Sequence, residues 1–208
     1  MLKIFFFRFC FLFLILVLQA ISVEAKTRNF IFLGDSLTEG YGVAQTAAFP
    51  FLIQEKAKAN QLDWNISSSG SSGSTSASTL SRLKWIAKKK PDYVMLIMGS
   101  NDGLRGLKTE ELEKNLAEAI SWAQKNKLKI ILGELLIPPN YGLEYTKKFK
   151  NLYPALAKKF NIPLGPFLLD GVAGQPSLNQ ADGIHPNEKG HQIIAEKMFQ
   201  YLLPILKK

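Results

Sequence analysis

Strand-like and helix-like stretches alternate along this chain. That alternation predicts an α/β protein, a three-layer α/β/α sandwich around a central parallel sheet of about five strands. A second observation agrees: Tyr93 to Met98 is continuously apolar, as a strand must be when helices cover both faces of its sheet. A third is that the glycine-containing polar segments follow the strand candidates rather than precede them. In a parallel sheet such segments gather beyond one edge, at the carboxyl ends of the strands.

Taken in order, Asn29 to Leu33 is a short apolar run closed by Gly34 and predicts the first strand. Phe49 to Asn60 predicts a helix, with apolar Phe51, Leu52 and Ala57 set among Gln, Glu and Lys. Leu62 to Ser67 is the second strand candidate, and Thr79 to Lys90 the second helix, stopped by Pro91. The third strand is the run from Tyr93. Thr109 to Lys127 opens acidic and closes lysine-rich, which complements a helix dipole. Lys129 to Leu136 predicts the fourth strand, Tyr145 to Phe160 a helix, Ile162 to Leu169 a short fifth strand, and Asn187 to Leu206 a closing helix. No linker or fixed-period repeat interrupts the series, so residues 26–208 read as one domain.

Residues 1–25 stand apart. Lys3 and Arg8 precede the apolar run Phe9 to Leu18, and Val23-Glu24-Ala25 offers small or medium side chains where a signal peptidase reads. This form predicts a secretory signal cleaved after Ala25, hence a periplasmic or secreted protein. An uncleaved anchor is the alternative, since Ile4 to Val23 nearly suffices to span a bilayer.

The whole chain has 208 residues, a formal charge of +9, two histidines and one cysteine. Removing residues 1–25, which hold Lys3, Arg8, Glu24 and Cys10, leaves 183 residues, 24 basic and 16 acidic side chains, and a charge of +8. A chain without cysteine has no disulfide framework and no cysteine-rich zinc cluster. The lysines at 88–90, at 147, 148 and 150, and at 158–159 fall at or inside predicted helices and read as solvated faces. Arginine is scarce, which argues against nucleic acid. At most a weak peripheral contact with anionic lipid head groups remains.

The chemistry is concentrated in three post-strand segments, Gly34 to Gly40, the serine-rich Ser67 to Ser76 and Gly99 to Gly103, and in Asp182 to Asn187 just before the last helix. A serine hydroxyl becomes a nucleophile when a base removes its proton, and a third group must orient that base. Asp182 and His185 lie three residues apart in a glycine-containing turn, so the carboxylate can reach Nδ1 and leave Nε2 facing a serine. The same pair also suits a capped helix start with Pro186 in its first turn. Ser36, just beyond the first strand, has the exposure a nucleophile needs. Neutral donors for an oxyanion are available as the Asn101 amide and a backbone N–H at Gly73 or Gly70; an Asx-turn and a flexible loop are the alternatives. Asp35, Glu39 and Asp102 lack His or Cys at ligand spacing, so no metal is expected, and Asp35 and Asp102 are assigned to turn and helix-start amides. His191 reads as structural.

Four blocks in order now carry a resemblance: Gly-Asp-Ser-Leu at 34–37, a glycine block after the second strand, Gly-Ser-Asn-Asp at 99–102 and Asp-Gly-Ile-His at 182–185. Together they resemble the SGNH hydrolases, the GDSL-type esterases and lipases. Further segments at 101–106, 138–142 and 182–187 are similar to the bacterial periplasmic thioesterase, arylesterase and lysophospholipase subgroup. The resemblance implies a flavodoxin-like three-layer fold, with Ser36 as nucleophile, His185 as base and Asp182 as its orienting acid. It implies an oxyanion hole of the Ser36 N–H, Gly73 and Asn101. Ser74 and Ser100 depart from the Asp and Gly common at those places. The implied activity is hydrolysis of a small-molecule acyl ester or thioester, lysophospholipid included, through an acyl-serine and with no cofactor. Leu104, Leu107, Leu136, Ile137 and Pro138 read either as an acyl groove or as ordinary core. Two rivals stand beside this reading: a carbohydrate deacetylase, and a non-catalytic flavodoxin-like binding domain.

Overall fold

The computed structural model describes residues 27–207; the leader expected over 1–25 lies outside the described residues. The apolar runs become five parallel strands, β1 (Arg28–Gly34), β2 (Trp64–Gly70), β3 (Tyr93–Ile97), β4 (Lys129–Glu134) and β5 (Leu164–Phe167). They lie in the order β2-β1-β3-β4-β5. Phe30, Phe32, Leu33, Val94 to Met98, Ile131 and Leu132 lose essentially all contact with water, which is why β1, β3 and β4 are apolar on both faces.

Seven helices connect and flank these strands among the described residues: α1 (Ser36–Glu39), α2 (Phe49–Ala59), α3 (Thr79–Ala87), α4 (Ser100–Leu104), α5 (Thr109–Lys125), α6 (Leu143–Phe160) and α7 (Glu188–Leu206). Helices α2 and α7 pack together on one face of the sheet, while α3, α5 and α6 pack side by side on the other. This is the three-layer α/β/α arrangement expected from the alternation. The strand order reverses between β1 and β3, and a crevice at such a switch point is where doubly wound sheets bind ligands.

Two departures from the expected elements matter for the site. Strand β2 runs on through Ser67 to Gly70, pairing Ser67 with Ile31 and Gly70 with Gly34. The pairing is carried by backbone groups on a half-exposed edge strand, so serines are tolerated there. The short helices α1 and α4 start two and three residues after β1 and β3 end, and each is too short to show a helical period. Pro154 and Pro204 lie inside α6 and α7 without ending them.

Candidate active site

The segment after β1 is shaped by glycine. A Cβ at Gly34 would stand 1.9 Å from the Thr38 hydroxyl oxygen, and one at Gly70 would stand 2.2 Å from the Glu39 nitrogen. Only glycines at these two paired positions let α1 sit directly on the strand ends. Asp35 is fully buried and caps α1, its Oδ1 accepting from the Leu37 N–H at 3.0 Å. Burial pushes the Asp35 carboxyl above its ordinary pKa, against the pull of that N–H. Ser36 is thereby the first residue of α1, half-buried at the sheet's carboxyl edge.

From the far end of the chain, the turn before α7 brings the imidazole to it. His185 Nε2 lies 2.9 Å from Ser36 Oγ, and His185 Nδ1 lies 2.7 Å from Asp182 Oδ2. The other carboxylate oxygen of Asp182 accepts from the Ile184 and His185 backbone N–H groups at 2.9 and 3.0 Å. Burial, the largest influence on Asp182, acts to raise its pKa. The His185 N–H, the His185 ring and the Ile184 N–H together outweigh it and hold the carboxyl at about 2. Asp182 is therefore an anion at neutral pH, which favours the tautomer with the proton on Nδ1 and leaves Nε2 free to accept from the serine.

The other two predicted residues flank this line. Because β1 lies between β2 and β3, the loop bearing Gly73 and the first turn of α4 bearing Asn101 stand on either side of Ser36. Asn101 Nδ2 donates to the Ser74 carbonyl at 3.0 Å, and Arg105 Nη2 donates to the Gly73 carbonyl at 3.1 Å. The Asn101 amide keeps a second hydrogen. Gly73 has φ +75°, a conformation that favours glycine. Gly70 is a different case: it belongs to β2, and its N–H donates to Ser68 Oγ at 3.1 Å.

Several supporting residues escaped the sequence reading. Asp102 is buried and accepts from both the Ser76 N–H, at 2.8 Å, and the Ser76 hydroxyl, at 2.6 Å, anchoring the loop that carries Gly73. It serves a helix-start amide, as expected, but that of the short 3-10 turn Ser76–Ser78, 26 residues away. Glu39 accepts from the Ser72 N–H at 2.6 Å and ties α1 to the same loop. Tyr41 places its ring 4.8 Å from that of His185, and Gln180 donates to the Tyr41 and Pro186 carbonyls at 2.7 and 3.0 Å. Apart from Gln180 to Pro186, these contacts join segments far apart in sequence, and no local pattern signals them.

His191 is structural, as expected. It is 1% exposed, stacks on Phe49 and accepts from the Phe49 N–H at 3.3 Å. Burial, reinforced by the charge of His185, lowers its pKa to about 4. The apolar flanking residues divide: Ile137 packs against Gly103 and Phe149 in the core, whereas Leu104 and Leu136 are half-buried and Leu107 and Pro138 exposed. Tyr141 and Tyr145 hydroxyls donate to the Leu104 and Leu107 carbonyls at 2.9 and 2.6 Å, pinning the loop between α4 and α5. A cleft of about 470 Å³ opens beside that loop, lined by Lys108, Tyr141 and Tyr145 among others, and does not include Ser36, Asp182 or His185.

A doubly wound sheet with a hydroxyl, an imidazole and a carboxylate in line at its switch point has the build of an α/β hydrolytic enzyme. The sequence matches the GDSL-like lipase/acylhydrolase family over residues 32–193. It is 35% identical over 183 residues to thioesterase 1/protease 1/lysophospholipase L1 of Escherichia coli (strain K12), covering 88% of this chain and 86% of that relative. It is 33% identical over 187 residues to esterase TesA of Pseudomonas aeruginosa, covering 89% and 93%. The crystal structure of the psychrotrophic esterase EstA from Pseudoalteromonas sp. superposes with a TM-score of 0.82 at 32% identity, covering 87% of this chain and 100% of that one. The chain belongs to the GDSL-like lipase/acylhydrolase family and is an SGNH esterase, a hydrolase of ester bonds.

Proposed function

We propose that this esterase cleaves carboxylic esters and thioesters through an acyl-serine at Ser36. The observation that carries the reading is the unbroken line from Ser36 Oγ to His185 Nε2 at 2.9 Å and from His185 Nδ1 to Asp182 at 2.7 Å. His185 takes the Ser36 proton as Oγ bonds to the acyl carbon, and the carbonyl oxygen becomes an oxyanion. The Ser36 and Gly73 N–H groups and the free Asn101 amide hydrogen donate to that oxygen. His185 then gives its proton to the departing alkoxide or thiolate. In the second half His185 deprotonates a water that attacks the acyl carbon, and Oγ leaves with the proton. The Asp182 carboxylate stabilises the imidazolium in both halves. All bond changes take place among these groups, substrate and water, so the residues themselves complete the cycle.

The acyl chain is assigned to Leu104, Leu107, Leu136 and Pro138, the apolar side chains that stay out of the core near Asn101. Medium or long acyl groups then fit better than the acetyl groups of a carbohydrate deacetylase, and lysophospholipid is within this class. The thioesterase and lysophospholipase named among the relatives supports both leaving-group types. We place the enzyme outside the cytoplasm, as a domain of residues 26–208 freed from the apolar leader read in the sequence.

The test is Ser36→Ala with a phosphonate ester as label, a chemistry supported by the EstA relative, whose structure is inhibited by monoethylphosphonate. The expected result is stoichiometric labelling of the parent protein, no labelling of the variant, and a kcat lower by about 10⁴-fold or more on an aryl ester. Undiminished hydrolysis by the variant overturns the reading. A chain-length series that favours acetyl over longer acyl groups moves the substrate to the deacetylase class.

A further inference from the structure

In a parallel sheet every strand starts at the same edge, and every crossover helix ends there. That amino edge collects the lysines of this chain. Lys88 to Lys90 follow α3, Lys125, Lys127 and Lys129 close α5 and open β4, and Lys158 with Lys159 occupy the last turn of α6; all are exposed. Among the described residues none of these lysines forms an ion pair. The acids nearby are engaged: Asp92 accepts from the Asn29 N–H at 2.8 Å and Asp63 from the Thr27 hydroxyl at 2.9 Å. The sequence reading of separate solvated helix faces missed that the topology gathers lysines of three helices on one end. Lys147, Lys148 and Lys150 lie within α6 instead, where Lys148 pairs with Glu110 and Glu144.

Lysines at helix C-termini complement helix dipoles, and that accounts for one or two per helix. It does not account for the aromatic side chains set among them. Lys89 Nζ lies 5.1 Å from the Trp85 ring centre, Lys129 Nζ 4.9 Å from Tyr93, and Lys159 Nζ 5.6 Å from Phe160. Trp85 itself is 58% exposed, an unusual position for an indole without a binding partner. A bilayer interface suits this mixture, because indole rings settle at head-group level while lysines meet lipid phosphates.

We propose that the amino edge of the sheet is a docking face for an anionic lipid bilayer, with Trp85 as its apolar contact and the 88–90 lysines at its centre. Ser36 follows the carboxyl end of β1, so the docked enzyme turns its catalytic residues away from the lipid. Substrate then reaches it from water. Nucleic acid is the competing occupant; the scarcity of arginine, four in the whole chain, and the exposed Trp85 indole among the lysines favour lipid.

The experiment uses residues 26–208, which hold the whole sheet and every described helix, so that the leader cannot itself enter lipid. Co-sedimentation is measured with phosphatidylcholine vesicles and with vesicles containing about 30% phosphatidylglycerol. Binding to the anionic vesicles alone, abolished at about 0.5 M NaCl, is expected. Each surface lysine contributes about fivefold, so Lys88→Gln/Lys89→Gln/Lys90→Gln lowers binding roughly a hundredfold. A matched control with the same charge loss elsewhere, Lys108→Gln/Lys147→Gln/Lys189→Gln, stays within about threefold of the parent. Trp85→Ser weakens binding without changing its salt dependence. Turnover of a water-soluble ester by the vesicle-bound protein stays within about twofold of the free protein.

Equal binding to both vesicle types, none to either at low salt, or equal losses in the two triple variants overturns the proposal. So does retention on duplex DNA without retention on vesicles. A tenfold or larger drop in soluble-ester turnover on docking overturns the orientation. Vesicle binding is read without hydrolysis, so a failure of the acyl-serine reading leaves this result intact, and the reverse also holds.

Discussion

The two edges of one sheet use charge in opposite ways. At the carboxyl edge the helices begin, and acids are drawn into structure: Asp35 caps α1, Asp102 holds the Ser76 loop, and Asp182 takes two N–H groups and the His185 ring. At the amino edge the helices end in lysines; those of α3, α5 and α6 stay in water without ion pairs among the described residues, whereas Lys56 and Lys58 of α2 pair with Glu196 and Glu55. Hydrogen bonding explains the contrast. A carboxylate held by backbone or side-chain donors orders the segments that supply them, whether it is buried, as Asp35 and Asp102 are, or exposed, as Asp182 is. An exposed lysine costs nothing and orders nothing, and is left to interact with whatever meets that edge.

The largest test of this comparison removes a charge from the ordered edge. Asp182→Asn keeps the side-chain shape but disfavours the productive tautomer of His185, and kcat is expected to fall by about 10³–10⁴-fold with a smaller change in KM. A loss under tenfold breaks the view that Asp182 orients the base. Next comes Asn101→Ala, which removes one proposed oxyanion donor and frees the Ser74 carbonyl; steady-state kinetics should show kcat down by about 10²–10³-fold. If only KM changes, Asn101 binds substrate and does not stabilise the oxyanion.

A third test concerns stability at the same edge. The His191 pKa is lowered to about 4 in the fold from 6.5, because burial disfavours its charged form. Between those values the unfolded chain takes up a proton that the folded chain refuses. Stability is therefore fully present above about pH 6.5 and is lost, by about 3 kcal/mol, as the pH falls toward about 4. Urea unfolding at a series of pH values should show this limb, and His191→Asn should flatten it. Asp182, with its pKa lowered from 3.8 to about 2, contributes in the same sense at lower pH: its stabilisation is present above about pH 4 and lost as the pH falls through about 2.

The smallest effect belongs to the other edge. Lys158→Gln/Lys159→Gln should leave kcat on a soluble ester within about twofold, since these lysines meet no group of the site. A tenfold change would show that the two edges are coupled.

The sequence by itself determined the layers and the short motifs. Continuous apolar runs mark strands covered on both sides, and Asp182 and His185 sit within one turn, so their contact could be read from spacing alone. The class of chemistry was legible for the same reason, because each of the four blocks is local. Tertiary structure decided the rest. Backbone pairing with β1 extended β2 through Ser67 to Gly70, where no side-chain pattern announces a strand. Contacts across 139 and 26 residues, Gln180 to Tyr41 and Asp102 to Ser76, brace the site and leave no local trace. The parallel topology turned lysines scattered along the sequence into one basic edge. Local periodicity records which face of an element is covered, whereas only the packed sheet records which distant ends meet.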